Sequence, residues 1–221
     1  MAPQVGIINP AMTLGQRLVF WGFLFGVIPG FGQAFAKDAA MNTMDLWTLA
    51  NEKRDTLRFS TLFTAQNVRD LLSDPAGLEK SIDWCKRTGV TRVYVETFRS
   101  DYTAERPTLE RIKAAYLAEG FEVSGCVTTT NVGKRGTGWE LIDCYTDGPT
   151  QDHLQEIFEY TASLFDEIMI DDFWFTDCEC EECTAAKGDR SWAEYRCDLM
   201  VGLSRDRILA PARAVNPGVR I

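Results

Sequence analysis

Beyond residue 57 the chain alternates short runs of β-branched and aromatic residues with longer stretches whose apolar positions recur at helical spacing. That alternation predicts βα units built on a parallel sheet. Residues 58–64 read as a first strand. Asp74 and Pro75 then supply an N-cap and a first-turn proline, Leu78, Ile82 and Cys85 give the following helix an apolar face, and Gly89 ends it. Residues 92–98 form a second strand. A second helix begins at Thr108 after Pro107, with Ile112, Tyr116 and Leu117 as its apolar positions, and Gly120 stops it before a third strand at residues 121–128.

The rhythm then breaks. Residues 129–148 are polar and carry Gly133, Gly136, Gly138 and Trp139, and connections of such length in a compact domain are usually functional or disordered. A helix over residues 152–165 leads to a fourth strand at 167–175, whose entry Ile168-Met169-Ile170 runs into Asp171, Asp172 and the aromatics Phe173, Trp174 and Phe175. Ser191-Trp192-Ala193-Glu194 is a capping box that opens a helix. Pro211 must kink or end that helix, and residues 218–221 read as the start of a fifth strand. The fold class expected is α/β, of the (β/α)8 TIM-barrel type, truncated after four to five βα units, because a complete barrel takes about 250 residues. A smaller open sheet with helices on both faces is the competing expectation.

Composition narrows the function classes. With 45% hydrophobic and 25% charged residues, the 221-residue chain has the balance of one globular domain. A formal net charge of −9 leaves no basic field for a phosphate backbone, which excludes nucleic acid as a partner. The start of the chain differs: Arg17 precedes an apolar run at residues 18–28, and Ala34-Phe35-Ala36 follows with small residues two apart. This is the layout of a secretory signal peptide. The run is shorter than the ~20 residues of a membrane span, so no stable membrane insertion is expected after cleavage, although an uncleaved anchor is the competing reading. The expected organisation is a signal peptide at residues 1–36, a lead segment at 37–56 and the N-terminal part of a barrel at 57–221, in a secreted or periplasmic protein.

Active sites of parallel barrels lie at the carboxyl ends of the strands, which directs attention to Asp171 and Asp172. Adjacent strand residues point to opposite faces, so one of the two should enter the barrel mouth and the other should not. Glycoside cleavage needs two carboxyl groups flanking the bond; Glu96, near the end of the second strand, is the candidate partner within the chain, beside a carboxylate on a later strand. The bland alternative is that either aspartate caps a loop or pairs with an arginine. Trp139 and Trp174 suit stacking on sugar rings, as they suit core packing, with Trp139 the one expected to be exposed. Cys178, Cys180 and Cys183 form a C-x-C-x-x-C cluster. It would bind a structural zinc if a fourth ligand folded in, or would form a disulfide with Cys144 or Cys197. No cofactor is required by the expected chemistry.

The stretch from Leu141-Ile142-Asp143-Cys144 to Phe175 resembles the uncharacterised glycoside-hydrolase-like barrel proteins, in which an LDPG-type segment, a helix and a DGIHFDDYFY-type strand follow in order. The resemblance implies a TIM barrel, a carbohydrate substrate, and Asp171 and Asp172 as site residues. The strand is also similar to the chitinase pattern D-x-x-D-x-D-x-E, but Met169 stands at an aspartate position and Phe173 at the position of the acid glutamate. The expected function is an exported glycoside hydrolase acting through strand-end carboxylates. A non-catalytic carbohydrate-binding barrel and a metal-binding protein centred on the cysteines are the alternatives.

Overall fold

A computed structural model describes residues 46–221; the expected signal peptide, and the lead segment up to residue 45, lie outside the described residues. Helix α1 (Leu46–Glu52) is followed by strand β1 (Phe59–Phe63), one residue shorter at each end than the pattern predicts. Thr64 caps a short helix α2 (Ala65–Asn67), which runs on as a π-helical turn (Val68–Leu72). Helix α3 (Pro75–Arg87) begins as expected, with Asp74 Oδ2 accepting the Gly77 N–H at 2.9 Å. Gly89, at φ +68°, turns the chain into β2 (Val90–Arg99), a conformation that costs glycine little.

The next element has no counterpart in the sequence reading. Strand β3 (Tyr102–Thr103) folds back antiparallel on the end of β2, with Arg99 opposite Tyr102. The link Ser100-Asp101 has φ of 52° and 61°, as a two-residue type I′ hairpin requires, and it lacks the Asn-Gly or Asp-Gly pair that would have announced one.

Helix α4 (Arg106–Ala118) starts two residues before the expected Thr108. Pro107 lies inside its first turn, where the N–H that proline lacks would be unpaired anyway. Leu109, Ile112 and Tyr116 form its buried face, while Leu117 is exposed, against expectation. After β4 (Glu122–Val127), helix α5 spans Gly148–Ala162 rather than residues 152–165, because Asp147 caps the Thr150 N–H at 2.9 Å and Pro149 occupies the first turn.

The fourth parallel strand is much shorter than the expected residues 167–175. Strand β5 is only Ile168–Ile170. Asp171 still donates its N–H to Val127 O, but the Phe173 N–H then turns back to Asp171 O and the Phe175 N–H to Phe173 O, so the aromatics leave the ladder. Helices α6 (Glu181–Lys187) and α7 (Trp192–Leu203) follow, the latter opened by the expected Ser191–Glu194 capping box. A π-helical turn (Ser204–Leu209) then leads into α8 (Ala210–Val215), and Pro211 sits in the first turn of that segment.

The sheet is five-stranded, with parallel strands in the order β1-β2-β4-β5 and β3 paired to β2. Neighbours follow in chain order without the reversal of a doubly wound sheet, and crossovers of a single hand then place the helices on one face. Val93 and Val95 accordingly join Ile82, Ile112 and Tyr116 in one apolar cluster, and Val127 and Ile168 join Leu154, Phe158 and Ile208 in another. The described residues form a mixed α/β domain around a parallel sheet whose path ends at β1 and β5. Beyond β5, Arg220 makes a parallel bridge to Glu167, where a further strand was expected.

The contact between α3 and the turn before it leaves no room for a side chain. A Cβ at Gly77 would lie 2.1 Å from the Leu71 carbonyl oxygen, whereas one at Gly148 would meet nothing within 4 Å. Gly77→Ala should therefore lower unfolding stability by about 1–3 kcal/mol. Gly148→Ala should leave it within about 1 kcal/mol. Urea melts of the two variants beside the parent check both.

Candidate functional site

The sheet register sets Glu96 beside Cys126 and Val127 beside Ile170, so side chains at the carboxyl ends of β2, β4 and β5 converge. Glu96 lies at 0% exposure. Its Oε2 accepts the Ala65 N–H at 2.7 Å and Arg99 Nε at 2.9 Å, and its Oε1 accepts the Thr128 hydroxyl. Arg99 Nη2 reaches on to Asp171 Oδ2 at 2.8 Å, and Thr128 Oγ1 lies 3.2 Å from the same oxygen. Burial of the guanidinium opposes its charge, but Glu96 and Asp171 outweigh that effect and hold Arg99 above its ordinary value.

This geometry divides the three expected carboxylates. The Asp171 side chain is 22% exposed and pairs with Arg99, the arginine pairing that the bland alternative expected, while staying reachable from solvent. Asp172 is exposed and makes no hydrogen bond or ion pair among the described residues. The two aspartates thus differ in surroundings, Asp171 partly buried and paired and Asp172 exposed. Glu96, expected as the catalytic partner, is sealed behind Arg99 with both oxygens engaged, so it holds Arg99 in place and has no surface to offer a substrate. Arg99 itself went unnoticed in the sequence. A cation three residues after Glu96, at a strand end that a later aspartate also reaches, was the available signal.

The connection between β4 and α5 forms the rim. Trp139 is exposed as expected, at 47%. Its backbone N–H donates to Asp177 Oδ2 at 2.7 Å, and a Cβ at the preceding Gly138 would fall 2.1 Å from that carboxylate carbon, so a larger residue there would have to displace the Asp177 carboxylate. The Trp139 ring lies parallel to Phe175, with centroids 6.3 Å apart, and tilted against Phe173 at 5.4 Å. Trp174 belongs elsewhere: its Nε1 donates to Ser204 Oγ at 2.9 Å and its ring meets the edge of Tyr145, so the expected sugar-binding role gives way to packing against helices. Beneath the rim, buried Asp143 accepts the Val132 N–H at 2.6 Å, and burial pushes its carboxyl above the usual range. His153 Nδ1 contacts Val132 O at 2.6 Å and steadies the same loop.

The cysteines are arranged differently from the expectation of a disulfide. All seven are free. Cys178, Cys180 and Cys183 gather with Cys144, and the four sulfurs lie within 4.8 Å of one another. Cys144 Sγ is 3.6 Å from Cys180 Sγ and 3.5 Å from Cys183 Sγ, far beyond the ~2.05 Å of a disulfide. Cys197, the other suggested partner, is exposed. The Cys183 backbone N–H holds the Cys180 thiol down at about 7. A concavity of about 490 Å³ lined by Arg58, Lys86, Glu119 and Glu122 lies at the amino ends of the strands, the end where parallel α/β sheets do not place their chemistry.

A family model described as "Probable glycosyl hydrolase, catalytic domain" matches residues 44–221. The chain belongs to this glycosyl hydrolase family. It is similar to an uncharacterized protein of Saccharolobus solfataricus, 28% identical over 192 residues, an alignment covering 74% of this chain and 31% of the relative. The chain thus spans about a third of the length of that curated relative. A crystal structure of a hypothetical protein from Ruminiclostridium thermocellum matches with a TM-score of 0.48 and 15% identity, over 72% of this chain and 93% of that one. No helix among the described residues is long and apolar enough to cross a membrane.

If Arg99 neutralises a buried carboxylate in this glycosyl hydrolase domain, removing it alone should be costly. Arg99→Met should destabilise the fold by about 3–5 kcal/mol, since Glu96 is left charged and unpaired. Adding Glu96→Gln to that variant should recover part of the loss. A double-mutant cycle in urea measures the coupling.

Proposed function

We propose that the carboxyl ends of the strands form the catalytic mouth of a glycoside hydrolase, with Asp171 as its anionic group. The observation that carries this reading is the pairing of Asp171 with Arg99 at a solvent-reachable strand end, two residues before Phe173 of the exposed aromatic wall. Glycoside cleavage passes through a transition state with oxocarbenium character, which an adjacent carboxylate stabilises as nucleophile or as base. A carboxylate facing a guanidinium fits the role that needs an anion. Asp172, exposed and without an ion pair among the described residues, is not the second carboxyl of that mouth; that group would come from a later strand. Trp139 and Phe175 offer flat apolar faces to sugar rings.

The sheet would be part of a (β/α)8 barrel. Strands in chain order with helices on one face are the layout that closes into a barrel. The face turned away from the helices is polar and layered: Arg92 pairs with Glu122 and Glu167 toward one end, and Glu96 with Arg99 toward the other. Further strands would cover it. The layout of residues 1–36 supports export, so that the enzyme meets its sugar outside the cytoplasm.

Turnover of a panel of aryl glycosides and oligosaccharides tests the assignment. Asp171→Asn should lower kcat by about 10²–10⁴-fold while the melting temperature stays near the parent's. Trp139→Ala should chiefly raise KM. Sugar binding that survives Asp171→Asn and Asp172→Asn, with no turnover in any variant or in the parent, would favour a non-catalytic carbohydrate-binding barrel and reject the hydrolase.

A further inference from the structure

We propose that Cys144, Cys178, Cys180 and Cys183 bind one zinc ion as a closed tetrathiolate, and that this ion clamps the loop after β4 to the segment after β5.

Three observations lead there. The first is distance. Zinc–thiolate bonds of about 2.3 Å in a tetrahedron place neighbouring sulfurs about 3.8 Å apart. Cys144 stands 3.5 Å and 3.6 Å from two of its partners, and all four sulfurs fit within 4.8 Å. That spacing suits a single ion, whereas a cubane iron–sulfur cluster would push its four thiolates further apart.

The second is burial. Cys144, Cys178 and Cys183 have at most 2% exposure, and Cys180 is partly covered. Four ligands with no open position mark a structural rather than a catalytic site. A Cys-ligated zinc carries a net charge of about −2 before its neighbours act on it. Hydroxyl groups are aimed at the sulfurs, Thr146 Oγ1 at 2.9 Å from Cys183 and Thr137 Oγ1 at 3.9 Å from Cys178. Two cations lie close by, each also paired to a glutamate: Lys134 of the rim loop, whose carbonyl accepts the Cys144 N–H and whose amine meets Glu182, and Arg196 of α7, which donates to Asp177 O and to Glu179.

The third is connectivity. Cys144 belongs to the rim loop, Cys178 follows β5, and Cys180 and Cys183 open α6. The residue before Cys178 is Asp177, whose carboxylate accepts the Trp139 N–H. An ion joining these segments therefore fixes the backbone under Trp139 from both sides. The metal assignment stands apart from the glycosidase reading; only the use of Trp139 as a sugar platform rests on it. Binding forms four zinc–sulfur bonds and releases the thiol protons to solvent, with no change of oxidation state.

The test uses the full chain, purified under reducing conditions without chelator. Elemental analysis should find one zinc per chain, retained in Cys197→Ser and in Cys144→His and lost in Cys144→Ser. Cobalt exchanged for zinc should give the intense visible bands of a tetrahedral tetrathiolate, a reading on the parent protein that decides the matter even if Cys144→Ser does not fold. Chelation should expose four further thiols to a thiol reagent. It should also change the fluorescence assigned to Trp139, taken as the difference between the parent and Trp139→Phe. A parent protein that binds neither added zinc nor cobalt, a stoichiometric iron in its place, or a mapped disulfide between Cys144 and any of the other three would each overturn the proposal. None of these readouts depends on sugar turnover, so the two proposals fail separately.

Discussion

The carboxyl ends of the parallel strands are held together by one buried charge. Glu96 takes its hydrogen bonds from Ala65, just past β1, from Arg99 at the end of β2, and from Thr128, just past β4. Arg99 carries the network to Asp171 beyond β5. All four parallel strands thus end on the same carboxylate or its counter-ion. A buried ion pair adds little stability over apolar packing, but once present it tolerates no missing partner. It also fixes position, since the planar guanidinium spans two carboxylates in a set geometry. The type I′ hairpin at Ser100-Asp101 contributes by ending β2 at Arg99, and Ser100 Oγ lies 3.1 Å from Thr130 Oγ1 in the neighbouring loop.

The rest of the sheet follows from which face each residue takes. Residues Val93 and Val95 pack under the helices, and between and beside them Arg92, Tyr94 and Glu96 take the opposite face. Parallel sheets covered on both faces read as continuous apolar runs. This one alternates, and its polar face carries an ion network at each end, with Glu122 and Glu167 around Arg92 and Glu96 and Asp171 around Arg99. The helix-facing side supplies the hydrophobic burial, while the polar side orders the charges that the proposed chemistry would use.

The features legible in the sequence were those set by local chemistry. Asp74-Pro75, the Ser191–Glu194 box and the glycines at 89 and 120 act within a turn of their own position, and each does what its residue type dictates. The expectation of parallel βα units survived for the same reason, since helix and strand periodicities are short-range. The errors arose where two local signals competed or a distant contact decided. Asp147 and Pro149 out-compete Asp152 as the start of α5 because they offer both a cap and a proline at the first turn. The aromatic run after Ile170 has strand propensity, yet its backbone turns on itself and Phe173 and Phe175 pack against Trp139. Arg99 and Cys144 became meaningful only through partners far away in the chain, which no window along the sequence can display.

That contrast bears on how the site divides its work. Asp171 is positioned by strand ends, whose register is locked on both sides by ladder hydrogen bonds and by the charge network beneath. Trp139 is positioned by a loop, and loops hold a side chain only as well as their own tethers. Here the tethers are individually ordinary: one backbone N–H to Asp177, one buried aspartate receiving Val132, and a histidine on Val132 O. They meet on a segment that also carries Cys144, one of four thiols that converge with those of the segment after β5. A recognition surface needs its aromatic faces held to within a fraction of an ångström if binding energy is to reach the reacting bond. A glycine-rich connection alone does not supply that stiffness. With the zinc proposed above, the buried sulfur cluster would be the rim's counterpart to the ion network at the strand ends, one ordering the loops and the other ordering the carboxylates.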